Sequence, residues 1–148
     1  MFSKILFPTD GSEISHRAAD TAVELAARLG IGIVGFHSIP PYSLPIGDGV
    51  FGYEPVYSEE EFRKACEDAA NEVLAEVAKV AKKAAVPFTS SVRTCPSTWE
   101  GIIAAAKDNK CDLIVMASHG RKGMAGVLLG SETTKVLTHS KVPVLVCR

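Results

Sequence analysis

The chain has 148 residues, a length that one domain accounts for and that suffices for a proper hydrophobic core. Lys and Arg number 16 and Asp and Glu 17, a formal net charge of −1, so the basic excess of a dedicated nucleic-acid binder is missing. Apolar residues at 47% and charged residues at 22% exclude a disordered chain, and no apolar run approaches the roughly 20 residues of a membrane-spanning helix.

Strand and helix patterns alternate from end to end. Lys4 to Pro8 is a short apolar run closed by a proline. Ser12 is placed to cap a helix reaching Leu29, with Ala18, Ala22, Leu25, Ala26 and Leu29 expected on its inner face and Gly30 at its end. Gly32 to Ile39 reads as a second strand, stopped by Pro40 and Pro41. A long helix starts at Ser58, where Ser58 and Glu61 have the spacing of a capping box. Phe62, Cys66, Ala69, Val73, Val77, Val80 and Ala84 recur along it at helical spacing and are expected to face inward. Phe88 to Thr94 is a third strand. Ser97 and Glu100 repeat the capping-box spacing and open a helix to about Lys107. Leu113 to Ser118 is a fourth strand, apolar on both faces. Ser131 caps a short helix to about His139, and Val142–Cys147 is a fifth strand.

Strands joined by helices of this length run parallel, and strands without polar alternation are covered on both faces. The expected fold is therefore a doubly wound, three-layer α/β domain spanning residues 1–148, Rossmann-like in class. Two connections exceed what that alternation needs. Residues 40–57 hold four prolines, three glycines and all three tyrosines; residues 119–130 hold four glycines. Loops of such length in compact domains tend to carry function, and the first of them reads equally as a substrate lid or a plain surface loop.

In an open parallel sheet the ligand lies beyond the carboxyl ends of the strands, where strand order reverses. This rule selects Thr9 and Asp10 after the first strand, Ser38 near the end of the second, and Met116, Ala117 and Ser118 at the end of the fourth. The segment Ser118-His119-Gly120-Arg121-Lys122-Gly123 and onward to Gly130-Ser131 reads as a phosphate cradle. Glycines let backbone N–H groups approach an anion, a helix start offers free N–H groups, and Arg121 adds positive charge. The P-loop pattern is absent, as is a GxGxxG after the first strand. Asp10 either accepts ribose hydroxyls, holds a magnesium ion or helps to cap the first helix. His37 and His139 read as structural. No spacing among the four cysteines or four histidines forms a metal motif, and the cysteines read as reduced, mostly buried thiols. The N-terminus shows no apolar signal-peptide core, so a cytoplasmic protein is expected.

These residues resemble the universal stress protein family over the whole chain. Lys4-Ile5-Leu6-Phe7-Pro8-Thr9-Asp10-Gly11-Ser12 resembles the family's opening strand and its Asp, residues 112–120 its fourth strand, and Pro143-Val144-Leu145-Val146 its last. The nucleotide-binding branch of that family carries the pattern G-x2-G-x9-G-[ST]. Gly120, Gly130 and Ser131 match its later positions, and Ala117 stands at the first. The resemblance implies strand order 3-2-1-4-5, a homodimer through the fifth strand, and ATP, with Mg²⁺, as the bound nucleotide. It implies adenine against the backbone of Ser38 and ribose or metal at Asp10 beside Thr9. Met116 and Ala117 form a wall, while Gly120, Gly130, Ser131, Glu132 and Thr133 line the phosphates. The implied function is a dimeric stress-response switch with at most slow ATP hydrolysis. The alternatives are a dimerisation module that binds no nucleotide, or a nucleotidyl or phosphoryl transferase on the same fold. No membrane or nucleic-acid partner is expected, and the protein partner is left open.

Overall fold

The computed structural model describes residues 1–43, 58–120 and 129–148. Nine elements follow one another: β1 (Lys4–Pro8), α1 (Glu13–Leu29), β2 (Gly32–Ile39), α2 (Glu59–Lys83), β3 (Phe88–Thr94), α3 (Thr98–Asp108), β4 (Leu113–Ala117), α4 (Ser131–His139) and β5 (Val144–Cys147). The five strands form one sheet in the order β3-β2-β1-β4-β5, with every neighbouring pair parallel. This is the α/β fold expected from the sequence, with the strand order that the resemblance implied.

The apolar strands divide their side chains between two cores. Ile5, Phe7, Leu113, Val115 and Ala117 pack with Ala18, Ala19, Ala22, Val23 and Ala26 of α1 and with Val77 and Ala81 of α2. Leu6, Val34, Phe36, Ile114 and Met116 pack with Ile102, Ala105 and Ala106 of α3 and Val136 of α4. Helices therefore cover both faces, and successive residues of β1 and β4 are buried on opposite sides. Each large side chain fully buried in this way is worth about 1.5–3 kcal/mol.

The ends of the elements show which sequence signals act. The side chain of Ser12 accepts from Ser15 N and caps α1, and Gly30 closes it in the left-handed region at φ 66°. The Ser58–Glu61 capping box opens α2 in both directions. Several expected caps and bounds shift, and β4 ends at Ala117 rather than Ser118. Ser97 stands at the start of α3 but makes no side-chain cap bond. Gly130, not Ser131, occupies the cap position of α4, and Ser131 is its first helical residue. β5 begins at Val144 because Pro143 has no N–H to give the ladder, although its carbonyl accepts from Ile114 N at 2.9 Å.

The inner faces of the helices also differ from expectation. On α1, Ala19 and Val23 are buried, whereas Leu25 and Leu29 are only half-buried. On α2, the buried stripe is Ala70, Leu74, Val77 and Ala81. Of the seven expected residues only Val77 belongs to it; Ala69 and Ala84 are exposed. The cysteines depart as well: all four are free, but only Cys111 is buried, with Cys66, Cys95 and Cys147 half-buried. Among the described residues no helix is long and apolar enough to cross a membrane.

Candidate functional site

The strand order reverses beside β1, which pairs with β2 on one side and β4 on the other. Beyond the carboxyl ends of these three strands lies a cleft of about 290 Å³. That is close to the lower end of small-molecule pockets, roughly 300 Å³. It is lined by the apolar side chains of Phe36, Ile102 and Met116 and by Thr9, Asp10, Ser38, Thr98 and Thr133.

The β1 side of the cleft is built from neighbours in sequence. Thr9 N donates to Phe36 O at 2.9 Å and carries the β1–β2 pairing one residue past the strand. Thr9 Oγ1 then accepts from Ser15 Oγ at 2.8 Å and from Gly11 N at 3.2 Å. Asp10 Oδ1 accepts from Ser12 N at 3.0 Å, a turn that Gly11 completes at φ 74°. Asp10 thus shapes the approach to α1, whereas Ser12 provides the cap itself. His37 Nδ1 lies 2.8 Å from Thr9 O; a carbonyl only accepts, so this nitrogen carries the proton.

The β4 side is built from the α4 start. Ser118 N donates to Cys147 O at 2.7 Å, and Gly130 N donates to Ser118 O at 2.7 Å. The buried Thr133 hydroxyl donates to Ala117 O at 3.1 Å. These bonds hold the first turn of α4 against the end of β4. Two glycines are closely approached by neighbours. A Cβ on Gly120 would run into the Asp10 carboxylate, and one on Gly130 would press on the Cα of His119 at 3.1 Å. Ala117 lies outside the positive-φ region, and it joins the α1-side core. Its methyl is thereby taken up in packing while the residue still borders the cleft. Ser118 Oγ lies 3.1 Å from His119 Nδ1.

Glu132 completes the far wall. Its Oε2 accepts from Trp99 N at 2.9 Å, and its Oε1 accepts from Lys135 Nζ at 3.1 Å. The α4 carboxylate therefore occupies the start of α3. The Trp99 and His139 rings pack against each other, tilted by 36°, with centroids 4.5 Å apart.

Of the residues selected from sequence, Thr9, Asp10, Ser38, Met116, Ala117, Gly120, Glu132 and Thr133 border this cleft together. Ser118, Gly130 and Ser131 stand behind or beside it, the first two as the backbone link just described. Arg121 and Gly123 lie outside the described residues. Sequence reasoning missed Ser15, Phe36, Thr98 and Ile102 as parts of the cleft wall and read His37, which lines it, as structural; His119 borders it as part of the segment read as a phosphate cradle. His37 had a signal, its place near the end of β2; Thr98 and Ile102 had none, because only the packing of α3 brings them there. No group of three or more His, Cys, Asp or Glu suited to a metal occurs among the described residues. Burial pushes the Cys111 thiol up to about 11 and raises that of Cys147, so neither is a ready thiolate.

A doubly wound parallel sheet with a crevice at its switch point defines a class of α/β domains. Within that class the chain matches the Universal stress protein family over residues 1–148, and it belongs to that family. Universal stress protein YxiE of Bacillus subtilis is 34% identical, with 100% of each chain covered. The solved structure of MJ0577, a universal stress protein of Methanocaldococcus jannaschii, superposes with a TM-score of 0.78 at 25% identity, covering 99% of this chain and 96% of that one. A universal stress protein solved in complex with cAMP superposes at 0.72 with 26% identity, covering 99% and 97%.

Proposed function

We propose that the chain binds an adenine nucleotide, ATP with Mg²⁺ in particular, in the cleft beyond β1, β2 and β4. The observation that carries this reading is the cleft's division of labour. Phe36, Ile102 and Met116 offer an apolar slot of the kind a flat base fills, with hydroxyl and carboxylate groups and close-packed glycines beside it. The family relative solved with cAMP supports the same reading. Adenine stacks on these apolar side chains beside Ser38, the ribose meets Thr9 and Asp10, and the phosphates run past Gly120 towards the α4 start at Gly130, Ser131 and Thr133. The N–H groups of that start and its dipole favour an anion.

A magnesium ion is bound through one or two carboxylates together with substrate phosphates, and Asp10 brings one carboxylate to the cleft. The ion, when bound with the nucleotide, offsets phosphate charge. Function is by binding more than by turnover: nucleotide stabilises one arrangement around the cleft, and a protein partner in the cytoplasm reads the difference. The working unit is one domain paired as a homodimer through β5. That strand lies at the sheet edge and leaves Leu145 40% exposed.

The test is calorimetric titration of the full chain with ATP and Mg²⁺, repeated with Gly120→Val. Micromolar binding weakened at least about tenfold in the variant is expected, since a side chain there displaces Asp10. Equal affinity in the two proteins would remove the site.

A further inference from the structure

Among the described residues that border the cleft, the charged ones are Asp10 and Glu132, and both are acidic. Glu132 bonds one partner 33 positions away and one on its own helix. Ser97 leaves the start of α3 without a side-chain cap, and the Glu132 carboxylate takes the Trp99 N–H there instead. Its other oxygen engages Lys135, which is 48% exposed in its side chain.

An N–H at a helix start and a lysine ammonium are the donors that a phosphate recruits. Glu132 holds both. Trp99 and Lys135 do not border the cleft, so Glu132 acts on an anionic ligand there through its own charge. That repulsion grows with each phosphate on the ligand and vanishes for a neutral nucleoside. A magnesium ion bound to a polyphosphate offsets part of the repulsion.

We propose that Glu132 grades this cleft by ligand charge. It disfavours each added phosphate, so a mononucleotide or a cation-neutralised polyphosphate is taken in preference to a free triphosphate. The inference rests on the nucleotide reading above and sharpens it to a ligand charge class.

The experiment is calorimetric titration with adenosine, AMP and ATP, each in EDTA and again with Mg²⁺, on the unmodified chain, Glu132→Gln and Lys135→Gln. Gln keeps an acceptor for the Trp99 N–H and removes the charge. In EDTA, Glu132→Gln tightens ATP about fivefold and AMP less, while adenosine moves by under about twofold; this is the scale of one charge acting through partly screened solvent. Lys135→Gln removes the counter-charge and weakens ATP in EDTA, again without moving adenosine. With Mg²⁺ the gain from Glu132→Gln shrinks. Equal shifts for adenosine and ATP, or weaker ATP binding in Glu132→Gln, overturn the inference and leave the nucleotide site standing. If Glu132→Gln does not fold, unchanged ATP binding in Lys135→Gln overturns it. Absence of binding by all three compounds to the unmodified chain overturns the nucleotide reading and this inference with it.

Discussion

The two flanks of the cleft are made in opposite ways. On the β1 flank, Thr9, Asp10, Ser12 and Ser15 bond one another across no more than six positions. On the α3–α4 flank, Glu132 reaches Trp99 across 33 positions, and the Trp99 ring packs on His139. The first flank is a turn that closes as α1 forms. The second exists only once α3 and α4 are both packed on the sheet. The contrast extends to helix starts. Ser58 and Glu61 close their capping box on α2, whereas Ser97, with Glu100 at the same spacing, leaves the α3 start to a carboxylate from another helix. At the α3 start a distant carboxylate takes the Trp99 N–H, and Ser97 makes no side-chain cap bond.

That contrast can be broken at graded cost. The largest effect is expected from Gly120→Val, which joins the flanks badly by forcing the Asp10 carboxylate aside; nucleotide affinity falls at least about tenfold while the far-ultraviolet circular dichroism keeps its native shape. Next, Trp99→Ala removes this ring contact and part of the α3 packing. About 2 kcal/mol of stability is lost in urea unfolding, and the midpoint shifts more than for any single change on the β1 flank.

A third change tests the anchoring of β1 at the other end of the strand, away from the cleft. The Asp112 carboxylate accepts from Lys4 N, from the Ser3 hydroxyl and from Ser3 N, and these bonds lower its pKa from 3.8 to about 2. A lowered folded-state value means stability that is present above about pH 4 and lost as pH falls towards 2. Asp112→Asn should therefore lower Tm by about a few degrees at pH 7, with the deficit shrinking on acidification, and leave nucleotide affinity unchanged. A deficit that stays constant down to pH 2 would assign the effect to something other than this charge. The smallest effect is expected at the self-contained α2 start: Ser58→Ala costs about 1 kcal/mol, read as a small shift in the urea midpoint, without any change at the cleft.

The same contrast explains what was legible in the sequence. Strands β1, β2 and β4 were, because they are apolar runs without polar alternation; β3 is largely polar and lies at the sheet edge, and Pro87 before it marked its start. The inner stripe of α2 was not. Phe62, Cys66, Val73 and Val80 form a half-buried margin beside the true stripe of Ala70, Leu74, Val77 and Ala81, and alanines on both lines give periodicity little to choose between. The rule for parallel sheets led from Asp10, Ser38 and Met116 to the cleft. It could not supply Thr98 and Ile102, which enter through α3 packing, or the direction of Glu132, which its neighbours in sequence do not determine. The cap of α4 was misassigned for a related reason. Ser131 has the better capping side chain, but Gly130 is held in place by its bond to Ser118 O and its close approach to His119.

The central claim is that the two flanks enclose an adenine-nucleotide site. It is tested most directly by denaturing the freshly purified full chain, identifying any released nucleotide by chromatography, and titrating the emptied protein with ATP and Mg²⁺ in a calorimeter. A carried-over adenine nucleotide, or micromolar binding at one site per chain, is expected. An empty protein with no heat of binding would contradict it.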